Sequence, residues 1–193
     1  MPEPAVRLHL VVPPSPGTDI ALCFAAACEA GDVASLVACP DLVPSLREIA
    51  RRHDVALLTT EAETALSLGC DGVEVASRGD YDKARAALGF SHIVGAHCGS
   101  SRHLAMELAD AGADYIAFSQ SRDHSETGPI IAWWSELFEI PCIAADPVAA
   151  SGLAALLSQR PDFIRPADQM WRSPEDSRTV IAATMRAIAE WRR

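Results

Sequence analysis

The chain has 193 residues, 49% of them apolar, which is enough for one domain with a substantial buried core. A formal charge of −10 and a pI near 4.9 repel phosphate backbones, and basic residues gather only at Arg51-Arg52 and Arg192-Arg193, so nucleic acid is excluded as a partner. The apolar run after Met1-Pro2-Glu3-Pro4 is too short to span a bilayer and lacks the form of a signal peptide, which points to a cytoplasmic protein with no membrane partner. Six scattered cysteines show no CxxC or CxxH spacing and read as small hydrophobes.

Val6 to Val12 forms a β-rich run closed by Pro13-Pro14-Ser15-Pro16-Gly17, after which Thr18 caps a helix running to Ala30 and stopped by Gly31. Val33 to Cys39 is the second strand, and Val43 to Arg52 has helical spacing at Val43, Leu46, Ile49 and Ala50. Val55 to Leu58 is the third strand; Thr60 with Glu63 has the form of a capping box and starts a helix ending at Leu68. Gly72 to Ala76 is the fourth, followed by a helix from about Asp80 to Leu88, and His92 to Ala96 the fifth, followed by a helix from about Ser101 to Ala111. The stretch Gly112-Ala113-Asp114-Tyr115-Ile116-Ala117-Phe118 stops that helix and supplies strand six, and similar joints stand at Gly31, Gly69 and Gly89. At each, glycine supplies the left-handed conformation that ends a helix. Beyond a polar run from Ser119 to His124, Ile130 to Phe138 is helix six and Pro141 to Ala145 strand seven. Asp146-Pro147 reads as a cap and first-turn proline for a helix from Val148 to about Ser158. Asp162 to Arg165 is strand eight, and Ser173-Pro174 starts a last helix to Trp191, with Val180, Ala183, Thr184, Ala187 and Trp191 near one face.

Strand-helix units of roughly 24 residues, eight in number, describe an α/β chain folded as a compact single-domain (β/α)8 TIM barrel. An open doubly wound sheet is the rival, and the count of eight favours closure. In such a barrel chemistry sits at the C-terminal ends of the strands. There His97 is a candidate acid, base or metal ligand, or else a rim histidine bonded to a neighbouring loop. Glu74 shares an alternating face with Gly72 and Ala76, so if that face is inward it is a buried acid needing a partner, Arg7 or Arg165, in a structural ion pair or a catalytic one. His9 also alternates with apolar neighbours, as an interior residue would. Asp146 is a helix cap or a pocket carboxylate. Ser119, Gln120, Thr60 and Arg165 are candidates for holding a small-molecule ligand, while Arg122, Asp123 and His124 read as solvated loop residues. Trp133, Trp134 and Trp191 fit helix packing or an oligomer contact, which leaves a homodimer open.

Four segments carry a family likeness. Asp71-Gly72-Val73-x-Val75, Val94-Gly95-Ala96-x-Cys98, Gly112 to Phe118 and Ile140-Pro141-Cys142-Ile143-Ala144 resemble the thiamine phosphate synthases and their thiazole tautomerase relatives. The likeness runs from about Val6 to Arg165 in the family's order. It implies a (β/α)8 barrel that joins a pyrimidine diphosphate to a thiazole phosphate with Mg²⁺, releasing pyrophosphate. The departures fall on the functional positions. Where the resemblance implies a Gln, Arg and Lys set after strand two, the chain has Cys39-Pro40-Asp41; for an Asn-Asp pair after strand three it has Thr59-Thr60-Glu61. The implied strand-four sequence Gly-Val-His-Leu-Gly-Gln is Gly72-Val73-Glu74-Val75-Ala76-Ser77, with Asp80 one residue late for the second acid. His97 replaces a serine, the Thr and Lys after strand six are missing, and Asp146-Pro147 replaces a glycine pair. Mg²⁺ is thus implied by the family without its ligands being matched, and the cofactor stays open. The resulting expectation is a divergent synthase-like protein, a transferase or isomerase if an enzyme, binding a small molecule at the C-terminal face in a pocket centred on His97, Glu74, Ser119 and Asp146, with His97, Glu74 and Asp146 as the catalytic candidates. The alternatives are a non-catalytic binding or regulatory protein of the thiamine pathway, and an active synthase with phosphate contacts rewired through Arg78, Arg122 or Arg165.

Overall fold

The computed structural model describes residues 6–14, 19–119 and 129–192. Its strands are β1 (Arg7–Val11), β2 (Val33–Val37), β3 (Ala56–Thr59), β4 (Gly72–Val75), β5 (Ile93–Gly99), β6 (Ile116–Phe118), β7 (Cys142–Val148) and β8 (Phe163–Pro166). Between and after them lie α1 (Ile20–Ala30), α2 (Val43–His53), α3 (Ala62–Leu68), α4 (Arg78–Leu88), α5 (Arg102–Asp110), α6 (Ile130–Leu137), α7 (Leu153–Leu157) and α8 (Pro174–Trp191). Every strand pairs in parallel with the next, and β1 pairs with β8, so the sheet is a closed (β/α)8 barrel. The open-sheet rival is thereby excluded.

Strand alternation divides the apolar residues into two layers. Leu8, Leu10, Leu36, Leu57, Val73 and Ile116 point outward into the strand-helix layer, where Trp134 stacks on Phe138 at 4.0 Å. Val37, Leu58, Tyr115, Ala117, Ile143 and Ala145 fill the lumen. Trp134 is therefore core packing, and Trp191 is exposed. The buried stripe of α8 is Ser177, Ile181, Thr184 and Ile188 rather than the expected set, since only Thr184 is common to both.

Three of the four helix-stopping glycines adopt the left-handed conformation, with φ of 63° at Gly69, 64° at Gly89 and 93° at Gly112. Gly31 does not; its φ is −165°, and a methyl group there would meet Ile181 at 2.5 Å, so α8 packing explains the residue. A second device recurs before three of the strands. The aspartate before a strand turns back to accept the first free N–H of the strand's neighbour: Asp71 from Leu57 at 2.7 Å, Asp114 from Val94 at 2.7 Å, Asp162 from Cys142 at 2.8 Å. Asp114 also holds the Arg85 guanidinium at 2.7 Å, and Arg85 in turn donates to the carbonyls of Gly89, His92 and Gly112. Asp114→Ala leaves a backbone donor and a partly buried guanidinium short of partners, and is expected to cost about 1–3 kcal/mol in urea unfolding with an unchanged m-value.

The expected helix starts need correction. Asp19, not Thr18, caps α1 by accepting from Leu22 N, and Thr18 lies outside the described residues. Glu61 rather than Thr60 stands at the N-cap of α3, without a side-chain capping bond. Asp146-Pro147 does not start α7 at all: β7 continues to Val148, and a 3-10 turn at Ala150–Gly152 leads into a helix of five residues. Ser173-Pro174 does start α8 as expected, with Ser173 accepting from Asp176 N. All six cysteines are free, and among them only Cys39 is exposed. Burial pushes the Cys28 and Cys98 thiols up to about 12 and the Cys142 thiol to about 11.

Candidate functional site

A polar set stands among the apolar residues of the lumen. His9 on β1, Ser35 on β2, Glu74 on β4 and Tyr115 at the foot of β6 form one linked set. His9 Nδ1 shares a hydrogen bond of 2.8 Å with Ser35 Oγ, and its Nε2 stands 3.6 Å from Glu74 Oε2. Tyr115 donates its hydroxyl to the same Oε2 at 2.9 Å, and its ring meets the His9 ring edge-on at 5.9 Å between centroids. Gly95 makes this possible, because a methyl group at that position would lie 1.9 Å from Tyr115 Cζ. On the adjoining strands His97 Nε2 and Ser119 Oγ share a hydrogen bond of 3.0 Å.

These neighbours decide the protonation states. Burial alone would raise the Glu74 carboxyl, but the His9 imidazole beside it, the Tyr115 hydroxyl and the more distant His97 outweigh that and hold it below the usual carboxylate range. Tyr115 moves the other way: burial first, and then the Glu74 charge, keep its hydroxyl protonated well above the ordinary phenol range. The set is thus an ionised carboxylate with a hydroxyl donor fixed against it.

A stability consequence follows from the signs. Glu74 binds its proton less readily folded than unfolded, so its contribution is present above about pH 4.5 and is lost as pH falls through the depressed folded value. Glu74→Leu leaves the Tyr115 hydroxyl without its acceptor and should cost about 1–3 kcal/mol at neutral pH. Glu74→Gln should cost less and flatten the acid limb, as read by thermal melts between pH 3 and pH 7; an acid limb identical to the parent's would remove Glu74 from it.

The structure brings together Glu74, His97 and Ser119, but not all the residues expected with them. Neither Arg7 nor Arg165 pairs with Glu74: Arg7 pairs with Asp32 at 2.9 Å across the opposite end of the barrel, and Arg165 with Asp168 at 2.8 Å. Arg165 also donates to the Ala145 carbonyl at 3.4 Å, while its buried Nε has no hydrogen-bond partner. Asp146 is exposed, in a stretch of β7 where the register with β8 shifts between Ala144 and Val148. Thr60 is exposed and lines a recess of about 300 Å³ with Glu61, Glu63, Asp80 and Lys83, apart from the lumen residues. Gln120, Arg122, Asp123 and His124 lie outside the described residues.

The positions where Mg²⁺ ligands are implied do not fit the ion. Thr59 is wholly buried, Glu61 accepts from Thr64 at 3.0 Å, and Asp80 accepts from Ser77 at 2.7 Å at the cap of α4. Among the described residues no three His, Cys, Asp or Glu side chains gather into a metal site. Nor is any helix there long and apolar enough to cross a membrane.

The family model described as thiamine monophosphate synthase matches residues 37–164, the span that carries β3 to the first half of β8 together with the lumen carboxylate. The chain belongs to the thiamine monophosphate synthase family. Its similarity extends along nearly the whole length of some family members: it is 34% identical to the thiamine-phosphate synthase of Rhodospirillum centenum, over 91% of this chain and 94% of that one. With the thiamine-phosphate synthase of Erythrobacter litoralis it shares 34% identity over 77% of this chain and 74% of that protein. The thiamine phosphate pyrophosphorylase structure from Pyrococcus furiosus superposes with a TM-score of 0.79 at 18% identity, covering 96% of both chains. At that identity the superposition speaks for the barrel alone, as does a TM-score of 0.73 with the 3-hexulose-6-phosphate synthase of Salmonella typhimurium, at 13% identity and covering 96% of this chain and 99% of that one.

His9 stands in the interior as expected, but its pairing with Glu74 and the part played by Tyr115 were missed by sequence reasoning. Tyr115 read only as part of a strand, and Ser35 carried no signal. A usable one existed: Gly95, with no side chain, opposite an aromatic residue on the next strand marks a place where a ring fills the lumen.

Proposed function

We propose that this family member binds a small molecule at the C-terminal face of the barrel without gripping it through a diphosphate and Mg²⁺. The observation that carries the reading is the Glu74, His9 and Tyr115 set, a preformed ionised carboxylate standing in the lumen, with His97 and Ser119 on the adjoining strands. Of the cations at that end, Arg165 is held by Asp168, and Arg78 by Asp82 at 2.9 Å and Glu107 at 3.6 Å on the outer surface of the helices, while Arg172 lines the depression after β7 and β8. An imidazole and a hydroxyl sharing a hydrogen bond, as His97 and Ser119 do, can relay a proton to a bound molecule, which suits an isomerase or transferase better than an inert scaffold.

A second reading is favoured by a specific observation, the 34% identity to a thiamine-phosphate synthase over nine-tenths of the chain. On that reading the chain makes thiamine phosphate with rewired contacts through Arg165 and the segment holding Arg122. Complementation separates the two. Expressed in a thiamine-phosphate-synthase-deficient bacterium, the chain is expected not to restore growth without thiamine, while the R. centenum relative serves as the positive control. Growth would establish the second reading.

A further inference from the structure

We infer that the opposite end of the barrel carries a second ligand site, which takes a small apolar monocarboxylate in the recess at the N-terminal ends of β7, β8 and β1. This site stands apart from the mouth and does not depend on how the mouth is used.

The recess holds about 590 Å³, within the range of small-molecule pockets and larger than the depression of about 490 Å³ after β7 and β8. Strand ends build its floor: Val6 stands just before β1, Pro141 just before β7, and Phe163 opens β8, paired with Arg7. Helix ends build its walls, with Leu157 closing α7 and Trp191 closing α8. The buried stripe of α8 ends at Ile188, so the helix does not need Trp191 for its own packing. Trp191 is 51% exposed, and an apolar body laid over its ring and Phe163 takes apolar surface out of water.

The charge of the lining names the other half of the ligand. Three arginines line the recess, Arg7, Arg160 and Arg192, in a chain whose formal charge is −10. Arg7 is held by Asp32 at 2.9 Å and Arg192 has a partner of its own, but the Arg160 guanidinium makes no hydrogen bond or ion pair among the described residues. The indole N–H of Trp191 likewise has no acceptor among them. The carboxylate in the lining, Asp162, is committed to the Cys142 N–H at 2.8 Å. A free guanidinium fork matches a carboxylate through two parallel hydrogen bonds. One negative charge fits better here than the two of a phosphate, because the C-termini of α7 and α8 bring the negative ends of their dipoles to this rim and Asp162 adds to them.

The backbone lets fold and binding be separated at the decisive residue. Arg160 lies on the turn between α7 and β8 with a φ of 59°, in the left-handed region that favours glycine. Glycine meets the geometry of that turn without strain, so Arg160→Gly removes the guanidinium while favouring the fold.

Three probes with one apolar body test the inference by calorimetric titration into the full chain: 2-naphthoate, the neutral 2-naphthalenemethanol and 2-naphthyl phosphate. 2-Naphthoate is expected to bind with a Kd of about 0.1–1 mM, and the alcohol and the phosphate each at least about tenfold more weakly. Arg160→Gly is expected to melt no lower than the parent and to bind 2-naphthoate about tenfold more weakly, and Trp191→Ala to weaken it about threefold or more. Arg172→Ala, in the depression at the other end of the barrel, is expected to leave that affinity unchanged. No binding of 2-naphthoate at millimolar concentration, equal affinity for the alcohol, or an affinity unchanged in Arg160→Gly overturns the site. Loss of binding in Arg172→Ala overturns it as well, by placing the anion after β7 and β8, and tighter binding of 2-naphthyl phosphate overturns the choice of head group.

Discussion

Thiamine-phosphate synthesis by the purified chain is expected to run about 10³-fold or more below that of the R. centenum thiamine-phosphate synthase assayed beside it. The argument is one of counting contacts. Charge-assisted hydrogen bonds to a diphosphate contribute about 1.5–3 kcal/mol each, so three missing ones amount to about 4–9 kcal/mol if additive. Three positions implied by the family likeness are occupied by groups that cannot make them. Cys39 begins a 3-10 turn with Pro40 and Asp41 after β2, Thr59 is buried on β3, and Pro147 stands where a glycine would offer its N–H. Arg165 is held by Asp168, which leaves Arg172, in the lining of the depression after β7 and β8, as the described cation placed to compensate. A rate within tenfold of the relative's would show that other residues replace the grip, and would sink the reading of the mouth given above.

Gly95→Ala is expected to be strongly destabilising. The new methyl group would lie 1.9, 2.2 and 2.4 Å from Cζ, Cε1 and Cε2 of Tyr115. Such overlap is relieved only by movement of one partner, and neither is free to move. The Tyr115 ring is packed among Val37, Leu58, Ala117 and Ile143, and its hydroxyl is tied to Glu74; Gly95 sits in mid-strand, paired with Glu74 on β4. A cost of about 3 kcal/mol follows, lowering the melting temperature by roughly 6–12 °C. Gly79→Ala is the control, because nothing lies within 4 Å of a methyl group there and alanine favours the helix by about 0.5–1 kcal/mol. Adding Tyr115→Leu to Gly95→Ala should recover part of the loss in a double-mutant cycle, whereas strict additivity would mean that the clash is not the cause.

Repetition made the scaffold readable from sequence. Glycine stops at Gly69, Gly89 and Gly112, each a few residues before a run of β-branched or aromatic side chains, fix where helices end and strands begin, and eight such units leave closure as the economical arrangement. Boundaries failed where one residue type has two uses. Asp146-Pro147 is as good a helix start as Ser173-Pro174, yet the register shift between β7 and β8 carries the first pair on as extended chain while the second caps α8. Thr60 likewise matches a capping box, but β3 runs one residue beyond Leu58 and leaves Glu61 at the cap position.

The lumen was legible by parity and opaque by partner. Alternation on β4 and β5 puts Glu74 and His97 inward without any knowledge of the fold's detail. What Glu74 touches depends on how four strands are staggered, and a search for the nearest opposite charge pointed to arginines that Asp32 and Asp168 already hold. The residues that do surround it are neutral or weakly basic side chains, His9 and Tyr115, whose roles arise only from being enclosed with it.

The distribution of sulfur has a practical side. Four thiols are buried and Cys28 is half-buried, and burial holds Cys28, Cys98 and Cys142 in the unreactive protonated form far beyond neutral pH. The sixth, Cys39, is exposed at the C-terminal end of β2, on the rim that surrounds Glu74 and His97. The molecule thus has a single exposed thiol as an attachment point for an environment-sensitive dye at that rim.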